Sequence, residues 1–517
     1  MRALLLNFVA IAWTLDVYES CPPYEEYSKH QHLPFSDGEL HLSYQRPVPE
    51  CRTFVSRAVD QQIEDMKDRM SDPDLAQLFE NCYPNTLDTT IRWHDSNQEY
   101  PRTFVVTGDI DAEWLRDSAH QLSVYMPLLS HDKSLKRLVL GAVNQQAEYV
   151  LNAPYCNAFN PPPGSKIHGR PMTGDRVTPP SFDINDVFEC KFEIDSLASF
   201  LLLSAQYYEA TMDMSFMTDR WFEAVQLVYD VAKLSQTGSY AENGKYIAPV
   251  YSFKRLTEIG TETLALNGHG FPIRNGTNLI RSAFRPSDDA TTFQLFIPGN
   301  AMFVSAARML FPALRDAKAD DLLASYKTLA DEIEHGIMEY GTYTHPKYGK
   351  VFAYEVDGYG GIVNMDDANL PSLLSLPRFG FINASDPLYL NTRKMLLSKD
   401  GNPYYLIGAA ISGIGGPHVG TKHAWPMSLL TAIMTSDDDE EILNLLKMVK
   451  RSTAGLGLMH EGVNVNYPQD YTRSWFAWCN SEFARTILDL AHRKPHLIFK
   501  EGVPAYGGVD GAAHPRN

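Results

Sequence analysis

Apolar residues recur at spacings of three and four along most of the chain, which is the pattern of one buried helix face. The pattern is clearest in three stretches, from Leu115 to Leu129, from Ile194 to Tyr208 and from Phe483 to Leu490. The last helix is predicted to begin at an Asn480 N-cap and to end in basic residues before Pro495, which stops a helix. Loops rich in Gly, Pro and Asp separate these segments. Polar groups are therefore predicted at helix ends on one rim of a helical scaffold.

The composition indicates a folded chain that does not bind nucleic acid. The 517 residues include 11% aromatic and 21% charged residues, which is typical of a well-filled interior. A net charge of −18 disfavours binding to phosphate backbones, which requires clustered Lys and Arg. Beyond the N-terminus, no segment reaches the roughly 20 uninterrupted apolar residues of a membrane span.

The N-terminus has the pattern of a secretory signal peptide. Met1-Arg2 precedes an apolar run that ends at Leu15 and contains the small residues of Ala10-Ile11-Ala12. We predict a signal peptide at residues 1–18 and a mature protein that is soluble and secreted or in the secretory pathway. A buried N-terminal helix or a membrane anchor is the alternative. The glycosylation sequons at Asn275 and Asn383 fit the secretory route.

Six cysteines without Cys-x-x-Cys spacing disfavour a structural zinc site, and their even number favours disulfides. We expect two disulfides, Cys51 with Cys82 and Cys156 with Cys190, because each pair flanks a segment that lies outside the main helices. The sequence leaves the full connectivity open.

Candidate chemistry lies in three segments that are distant along the chain. Asp288 follows Arg285-Pro286-Ser287, and Glu461 follows Met459-His460, which supplies two carboxylates of different character, as acid-base cleavage of a glycosidic bond requires. A third segment sets Arg116-Asp117 beside Trp114, groups suited to sugar hydroxyls and to the apolar face of a ring. Taken alone, a Ser-Asp-Asp triplet is more typical of a helix cap, and a loop glutamate of an exposed surface.

These segments resemble those of glycoside hydrolase family 125, the metal-independent exo-α-1,6-mannosidases, in a secreted, fungal-type form. The resemblance runs from about residue 50 to residue 490 and also includes Phe192–Leu197, Gly360–Leu374, His423–Met427 and Thr472–Asn480. It implies an all-α fold, an (α/α)6 barrel in a single catalytic domain. That domain is expected at residues 86–496, with residues 19–85 packed on the barrel and a tail at 497–517. The chain departs from the family pattern at Phe188-Glu189-Cys190-Lys191, which bears on the outer subsites.

The resemblance also implies roles for particular residues. Asp288 is the expected general acid, with Asp289 as the alternative, and a neighbouring carboxylate would help because like charge raises a pKa. Glu461 is the expected general base, and His460 is expected to form a hydrogen bond and not to bind a metal. The expected sugar-binding residues are Asp109, Trp114, Arg116, Asp117, Arg285, Asp289, Asp366, Asp367, Asn369, His423, Trp425, Arg473 and Trp475. Among these, Trp425 and Trp475 are the stacking candidates, and we expect the C-terminal ends of helices to supply the pocket.

Two acidic runs receive different interpretations. Asp366-Asp367-Ala368-Asn369 before Pro371 predicts a helix N-terminus, and its surplus of polar groups predicts contacts with sugar hydroxyls. The run from Asp437 to Glu441 predicts the exposed start of an amphipathic helix and not a calcium site.

Together, these features predict an inverting exo-α-1,6-mannosidase that removes terminal mannose from α-mannosides or N-glycans. We expect no metal and no cofactor, and a monomer that binds neither nucleic acid nor, after signal cleavage, a membrane. The alternatives are another (α/α)6 exo-glycosidase, such as a glucoamylase-like α-glucosidase, and a non-catalytic sugar-binding protein. The sugar, the linkage and the stereochemistry come from the resemblance, whereas the residues alone support only a glycosidase-like pocket.

Overall fold

Helices dominate the computed structural model, which describes residues 21–96, 99–170, 174–179, 182–183 and 185–507. The predicted signal peptide and the end of the predicted tail lie outside these residues. The α-helices are, in chain order, α1 (Tyr24–Tyr27), α2 (Arg57–Arg69), α3 (Pro73–Cys82), α4 (Asn85–Thr89), α5 (Leu115–Ser123), α6 (Lys133–Asn152), α7 (Ile194–Thr211), α8 (Asp219–Ser235), α9 (Ala265–Gly268), α10 (Ile297–Asp316), α11 (Asp320–Tyr340), α12 (Pro387–Leu396), α13 (Pro426–Met434), α14 (Asp439–Arg451) and α15 (Ala477–Arg493).

Small antiparallel sheets occupy the loops between the helices. The strands are β1 (Ile91–Asp95), β2 (Arg102–Val105), β3 (Glu113–Trp114), β4 (Ala158–Phe159), β5 (Arg176–Thr178), β6 (Val187–Glu189), β7 (Ser252–Lys254), β8 (Leu295–Phe296), β9 (Thr342–His345), β10 (Gly349–Phe352), β11 (Glu355–Val356), β12 (Ile362–Val363), β13 (Tyr405–Ile407), β14 (Ser412–Ile414), β15 (His423–Ala424) and β16 (Val463–Asn464). Two sheets have three strands, in the orders β3-β4-β6 and β12-β11-β8, and the others are pairs. Helical periodicity did not predict these strands because segments of two to five residues are too short for a clear alternation.

The long helices differ in how much of their surface is buried. All residues of α5 and most of those of α7, α10, α13 and α15 are buried, whereas α8, α11 and α14 each bury one stripe. A helix that is buried all round must lie in the interior, and an amphipathic one at its surface. The buried helices pack on one another, α7 against α5 and α10, and α15 against α5 and α13. Half-buried helices cover them, with α11 on α10 and α14 on α13.

Most predicted helices are confirmed, with corrections at their ends. Helix α15 begins at Ala477 and not after Asn480, whose amide accepts a hydrogen bond from the Met459 backbone N–H instead. The acidic run before α14 is confirmed as a helix start, since the Asp438 side chain caps it. The helix predicted at Asp366–Asn369 is absent, and this segment is irregular with a bend at Ala368 and Asn369.

One of the two expected disulfides is confirmed. Cys156 pairs with Cys190, as predicted. The expected pair of Cys51 with Cys82 is wrong, because Cys51 is bonded to Cys21 in the N-terminal segment. Cys82 ends α3 in the interior and is a free thiol. Within the described residues, no helix combines the length and the apolar content needed to cross a bilayer.

Candidate active site

The loops that lead into the buried helices converge on one polar site. Arg116 and Asp117 lie in the first turn of α5, Glu193 is the N-cap residue of α7, and Glu461 lies in the loop before α15. The expectation that C-terminal helix ends supply the site is therefore wrong. Helix N-termini carry a partial positive charge, which favours carboxylates there.

Asp288 lies at the tip of a tight turn between α9 and α10. The Asp288 N–H donates to the Arg285 carbonyl oxygen at 2.9 Å, and the Arg285 N–H donates to the Asp289 carbonyl oxygen at 2.8 Å. Asp288 has a φ of 65°, in the left-handed region that Asp tolerates better than most residues. Its side chain remains 22% exposed. The predicted helix-cap alternative does not apply, because no helix begins at this turn.

The Asp288 carboxylate is held by donors from two other loops. Its Oδ1 accepts from Asn157 Nδ2 at 3.0 Å and from Trp114 Nε1 at 3.3 Å. Asn157 also donates to Glu193 Oε1 at 3.2 Å, so one amide group bridges two carboxyl groups. Trp114 thus contributes its indole N–H to the predicted acid, a contact that its sequence position did not indicate.

Arg116 is the centre of a buried cluster of acids. Its Nη1 lies 2.5 Å from Glu193 Oε2 and 3.2 Å from Asp195 Oδ2, and its Nη2 lies 3.2 Å from Asp117 Oδ2. Nη2 is also 3.8 Å from Asp288 Oδ1. One guanidinium thus faces four carboxyl groups, and protons must compensate part of the excess negative charge.

The two acids bridged by Asn157 have opposite pKa shifts. Burial acts to raise the pKa of Asp288, but Lys191, Arg116 and a hydrogen bond from Glu193 lower it to about 2. Burial raises the pKa of Glu193 well above its usual range; Arg116 opposes this shift, and Asp288 and Asp195 add to it. We expected a like-charged neighbour to raise the pKa of Asp288, but the cationic groups around it outweigh this effect, and the raised pKa belongs to Glu193.

Glu461 has a different environment, which suits an ionised carboxylate. Its Oε2 accepts from Thr472 Oγ1 at 2.9 Å and lies 3.3 Å from Arg473 Nε. Arg473 also pairs with Asp109 of the loop before α5. This ion pair joins two loops at the edge of the site.

His460 supports the loop that carries Glu461. It is fully buried, its ring stacks on Tyr471 at 3.9 Å, and its Nδ1 lies 2.8 Å from the Arg473 carbonyl oxygen. Burial lowers the pKa of His460 to about 4, so the ring is neutral. Its predicted hydrogen-bonding role is thus observed.

His418 is a site residue that the sequence analysis missed. Its Nδ1 lies 3.7 Å from Asp289 Oδ2. Burial lowers the pKa of His418, but Asp289, Glu461 and Asp288 together raise it to about 9. The segment His418–Val419 contacts both loops, since His418 Nδ1 lies near Asp289 and a Cβ at Gly462 would lie 3.2 Å from Val419 Cγ2, so the Asp288 turn and the Glu461 loop border the same space. The only signal in the sequence was its position in the Gly415-Gly416-Pro417 loop, five residues before the predicted His423.

Arg285 and Asp289 are both buried behind the Asp288 turn. Arg285 Nε donates to Glu355 Oε1 at 2.6 Å, and Glu355 Oε2 accepts from the backbone N–H groups of Thr292 and Phe293. Asp289 Oδ2 accepts from Ser287 Oγ at 3.1 Å. The Arg285 guanidinium thus anchors the turn, and its predicted contact with sugar is not supported.

The segment Asp366–Asn369 is largely occupied by its own contacts. Both Asp366 oxygens accept backbone N–H groups, from Leu373 and Leu374, so the predicted hydroxyl contact of Asp366 is not supported. Asp367 Oδ1 accepts from the Asn369 backbone and side chain, whereas its Oδ2 has no hydrogen-bond partner among the described residues.

The stacking candidates lack an exposed ring face. Trp425 and Trp475 are each 2% exposed, so their predicted stacking on sugar is not supported. Trp475 instead packs edge-on against Tyr24. His423 lies on β15 with its Nε2 3.5 Å from Asp470 Oδ1, and its Cβ would lie 3.3 Å from a Cβ at Gly462, the residue after Glu461. Within the described part of the chain, no group of three or more His, Cys, Asp and Glu side chains has a metal-binding arrangement.

A helical scaffold with paired acidic centres in one polar site is the arrangement of a glycoside hydrolase. The chain belongs to glycoside hydrolase family 125: residues 72–488 match the family described as metal-independent alpha-mannosidase. It is an α-mannosidase, and the family description agrees with the prediction of metal-independent catalysis.

Two comparisons extend this assignment. The chain is 53% identical over 495 residues to the meiotically up-regulated gene 157 protein of Schizosaccharomyces pombe (strain 972 / ATCC 24843), covering 95% of this chain and 97% of that protein. Its structure is similar to that of a metal-independent α-mannosidase from Streptococcus pneumoniae in a non-productive complex with α-1,6-mannobiose. The TM-score is 0.76 at 33% identity, covering 84% of this chain and 99% of that chain.

Proposed function

We propose that this protein is an inverting exo-α-1,6-mannosidase in which Asp288 protonates the leaving oxygen and Glu461 activates the attacking water. The observation that carries the proposal is the contrast between the two carboxyl groups. Asp288 shares Asn157 with Glu193, a buried acid whose pKa is raised, whereas Glu461 accepts from Thr472 and Arg473 and has no acidic partner of that kind among the described residues. A proton donor and a proton acceptor on one site are what an inverting hydrolysis requires.

The other candidate groups divide between sugar binding and support. We assign Asp117, Asp289 and His418 to mannose hydroxyls, because Asp117 pairs with the Arg116 guanidinium that also faces Asp288, and His418 Nδ1 lies 3.7 Å from Asp289 Oδ2. The Arg473–Asp109 ion pair closes one side of this space, which supports action at a chain end.

The substrate proposal rests on the solved relative. That enzyme was crystallised with α-1,6-mannobiose in work on the processing of N-linked glycans. We extend the α-1,6 linkage and N-glycan substrates to this chain.

We further propose that the buried helices form the inner ring of an (α/α)6 barrel. The successive contacts of α13, α15, α5, α7 and α10 support such a ring, and α3 of the N-terminal segment covers α15. Two disulfides support passage through an oxidising compartment, and we propose secretion as a monomer.

The test is hydrolysis of α-1,2-, α-1,3- and α-1,6-mannobiose and of α-linked glucobioses, with NMR detection of the first anomer released. We expect preferential cleavage of α-1,6-mannobiose and initial release of β-mannose. Initial release of α-mannose would overturn the role of Glu461 as a base. Hydrolysis of glucobioses alone would favour the α-glucosidase alternative, and binding without hydrolysis the sugar-binding protein.

Two substitutions assign the acid. Asp288→Asn should reduce kcat on mannobiose by about 10²–10⁴-fold, the usual contribution of general acid catalysis. Asp289→Asn is the matched control one residue away, and we expect a rise in KM larger than its loss of kcat. The reverse result would transfer the acid role to Asp289.

A further inference from the structure

A buried carboxyl group lies directly behind the proposed acid. Glu193 has an exposure of 1%, and its carboxyl group and that of Asp288 face the same Arg116 guanidinium, with Nη1 2.5 Å from Glu193 Oε2 and Nη2 3.8 Å from Asp288 Oδ1. The amide of Asn157 donates to both, at 3.2 Å to Glu193 Oε1 and 3.0 Å to Asp288 Oδ1. Two carboxyl groups bridged by one amide nitrogen favour a state in which one of them carries a proton, because the negative charge of each raises the pKa of the other.

The surroundings determine which of the two acids holds the proton in the resting enzyme. The charged groups that face the pair are Arg116, Asp117, Lys191, Asp195 and His418. Lys191 and His418 act on Asp288 and stabilise its ionised form, whereas Glu193 lies deeper, beside Asp195. Asp288 alone would therefore have no proton to give when a substrate binds.

We propose that Glu193 and Asp288 share one proton and that Glu193 supplies, through Asp288, the proton that the glycosidic oxygen receives. This inference rests on the proposed role of Asp288. Glu193 is then a positioning residue, since it acts through Asp288 and does not contact the substrate.

The step balances without a further reactant. As the bond between the anomeric carbon and the glycosidic oxygen breaks, its electron pair moves to that oxygen, which takes a proton from Asp288. Asp288 receives the proton of Glu193, and both carboxylates end ionised beside Arg116 and Lys191. The attacking water bonds to the anomeric carbon and loses a proton to Glu461. After product release, Glu461 loses its proton to solvent and the pair regains one.

The decisive experiment compares two substrates that differ in their need for an acid. α-1,6-Mannobiose has a sugar alcohol as leaving group and needs a proton, whereas α-mannosyl fluoride releases fluoride with little assistance. Glu193→Gln keeps the size of the side chain and a hydrogen-bond donor toward Asp288, but its amide has no acidic proton. We expect kcat on mannobiose to fall by about 10²–10³-fold, within the range of general acid catalysis, and kcat on the fluoride by less than about 3-fold.

Asp195→Asn is the matched control, because Asp195 binds the same Arg116 Nη1 but receives no hydrogen bond from Asn157. We expect Asp195→Asn to change kcat on both substrates by the same factor. Equal losses on both substrates in Glu193→Gln, or no loss on either, would overturn the inference. If the Gln variant does not fold by circular dichroism, Glu193→Asp replaces it, since its acid is one methylene too short, and the same selective loss is required.

Asp288→Asn separates this inference from the proposed function. If Asp288→Asn shows the selective loss and Glu193→Gln does not, Asp288 is the acid and only the proton supply from Glu193 fails. If Asp288→Asn affects both substrates equally, the proposed acid itself is wrong.

Discussion

Removal of the Glu355 charge should destabilise the protein and displace the catalytic turn. Glu355 is fully buried on β11, and its two oxygens accept from Arg285 and from the backbone of Thr292 and Phe293. These contacts fix both ends of the turn that presents Asp288. The perturbation we consider is Glu355→Gln, which preserves shape and an acceptor oxygen but removes the carboxylate that forms an ion pair with the buried Arg285 guanidinium.

The expected magnitude follows from the burial of both partners. The side chains of Arg285 and Glu355 are 4% and 0% exposed. Breaking a buried ion pair by removing one partner costs about 3–5 kcal/mol, because the remaining charge stays desolvated. Glu355→Ala should cost more, since each of two backbone N–H groups left without an acceptor adds about 1–3 kcal/mol.

The assay is chemical denaturation followed by tryptophan fluorescence, with kcat measured in parallel on mannobiose. Glu355→Gln should lower the denaturation midpoint at an unchanged slope and reduce kcat. The matched double variant Arg285→Met with Glu355→Gln should be more stable than Glu355→Gln alone, because no unpaired buried charge remains. A cost below about 1 kcal/mol for Glu355→Gln would refute the reasoning. If Arg285→Met raises KM without a loss of stability, Arg285 binds the sugar and does not serve only to anchor the turn.

Two further predictions concern pH and metal. The pKa of His418 is raised to about 9, so its charged form and the stability it contributes are fully present below the unfolded value of about 6.5 and are lost as pH rises through about 9. We expect kcat/KM of the wild-type enzyme to fall as pH rises through about 9, and this fall should be absent in His418→Gln. The same alkaline fall in both enzymes would count against His418 as the titrating group. Activity should survive prolonged dialysis against a chelator, and a loss restored by calcium or zinc would show that an acidic segment binds metal.

The sequence correctly predicted helices and helix starts, because these depend mainly on residues that are close along the chain. The spacing of apolar residues located α7 and α15, and the acidic run before α14 was interpreted correctly as a capped helix start. Helix termini were less certain, because Asn480 has the residue type of a cap but uses its amide to hold Met459.

Residues whose function depends on distant contacts were missed. Asn157 and Glu193 approach Asp288 only because the fold brings their loops together, and nothing in their local sequence indicates a carboxyl pair. His418 likewise depends on acids from two other segments. Local sequence also misassigned Arg285, whose partner Glu355 lies on a strand too short to predict from its pattern.

The Cys156–Cys190 bond has a consequence for the order in which the enzyme matures. Cys156 immediately precedes Asn157, and Cys190 immediately precedes Lys191, so one crosslink joins the amide and the ammonium group that act on Asp288. The two cysteines are 2% and 0% exposed, which shields the bond from reagents in the folded protein. Because an oxidant cannot reach buried sulfur atoms, we expect this bond to form while the region around Asp288 is still open, before the folded site is complete.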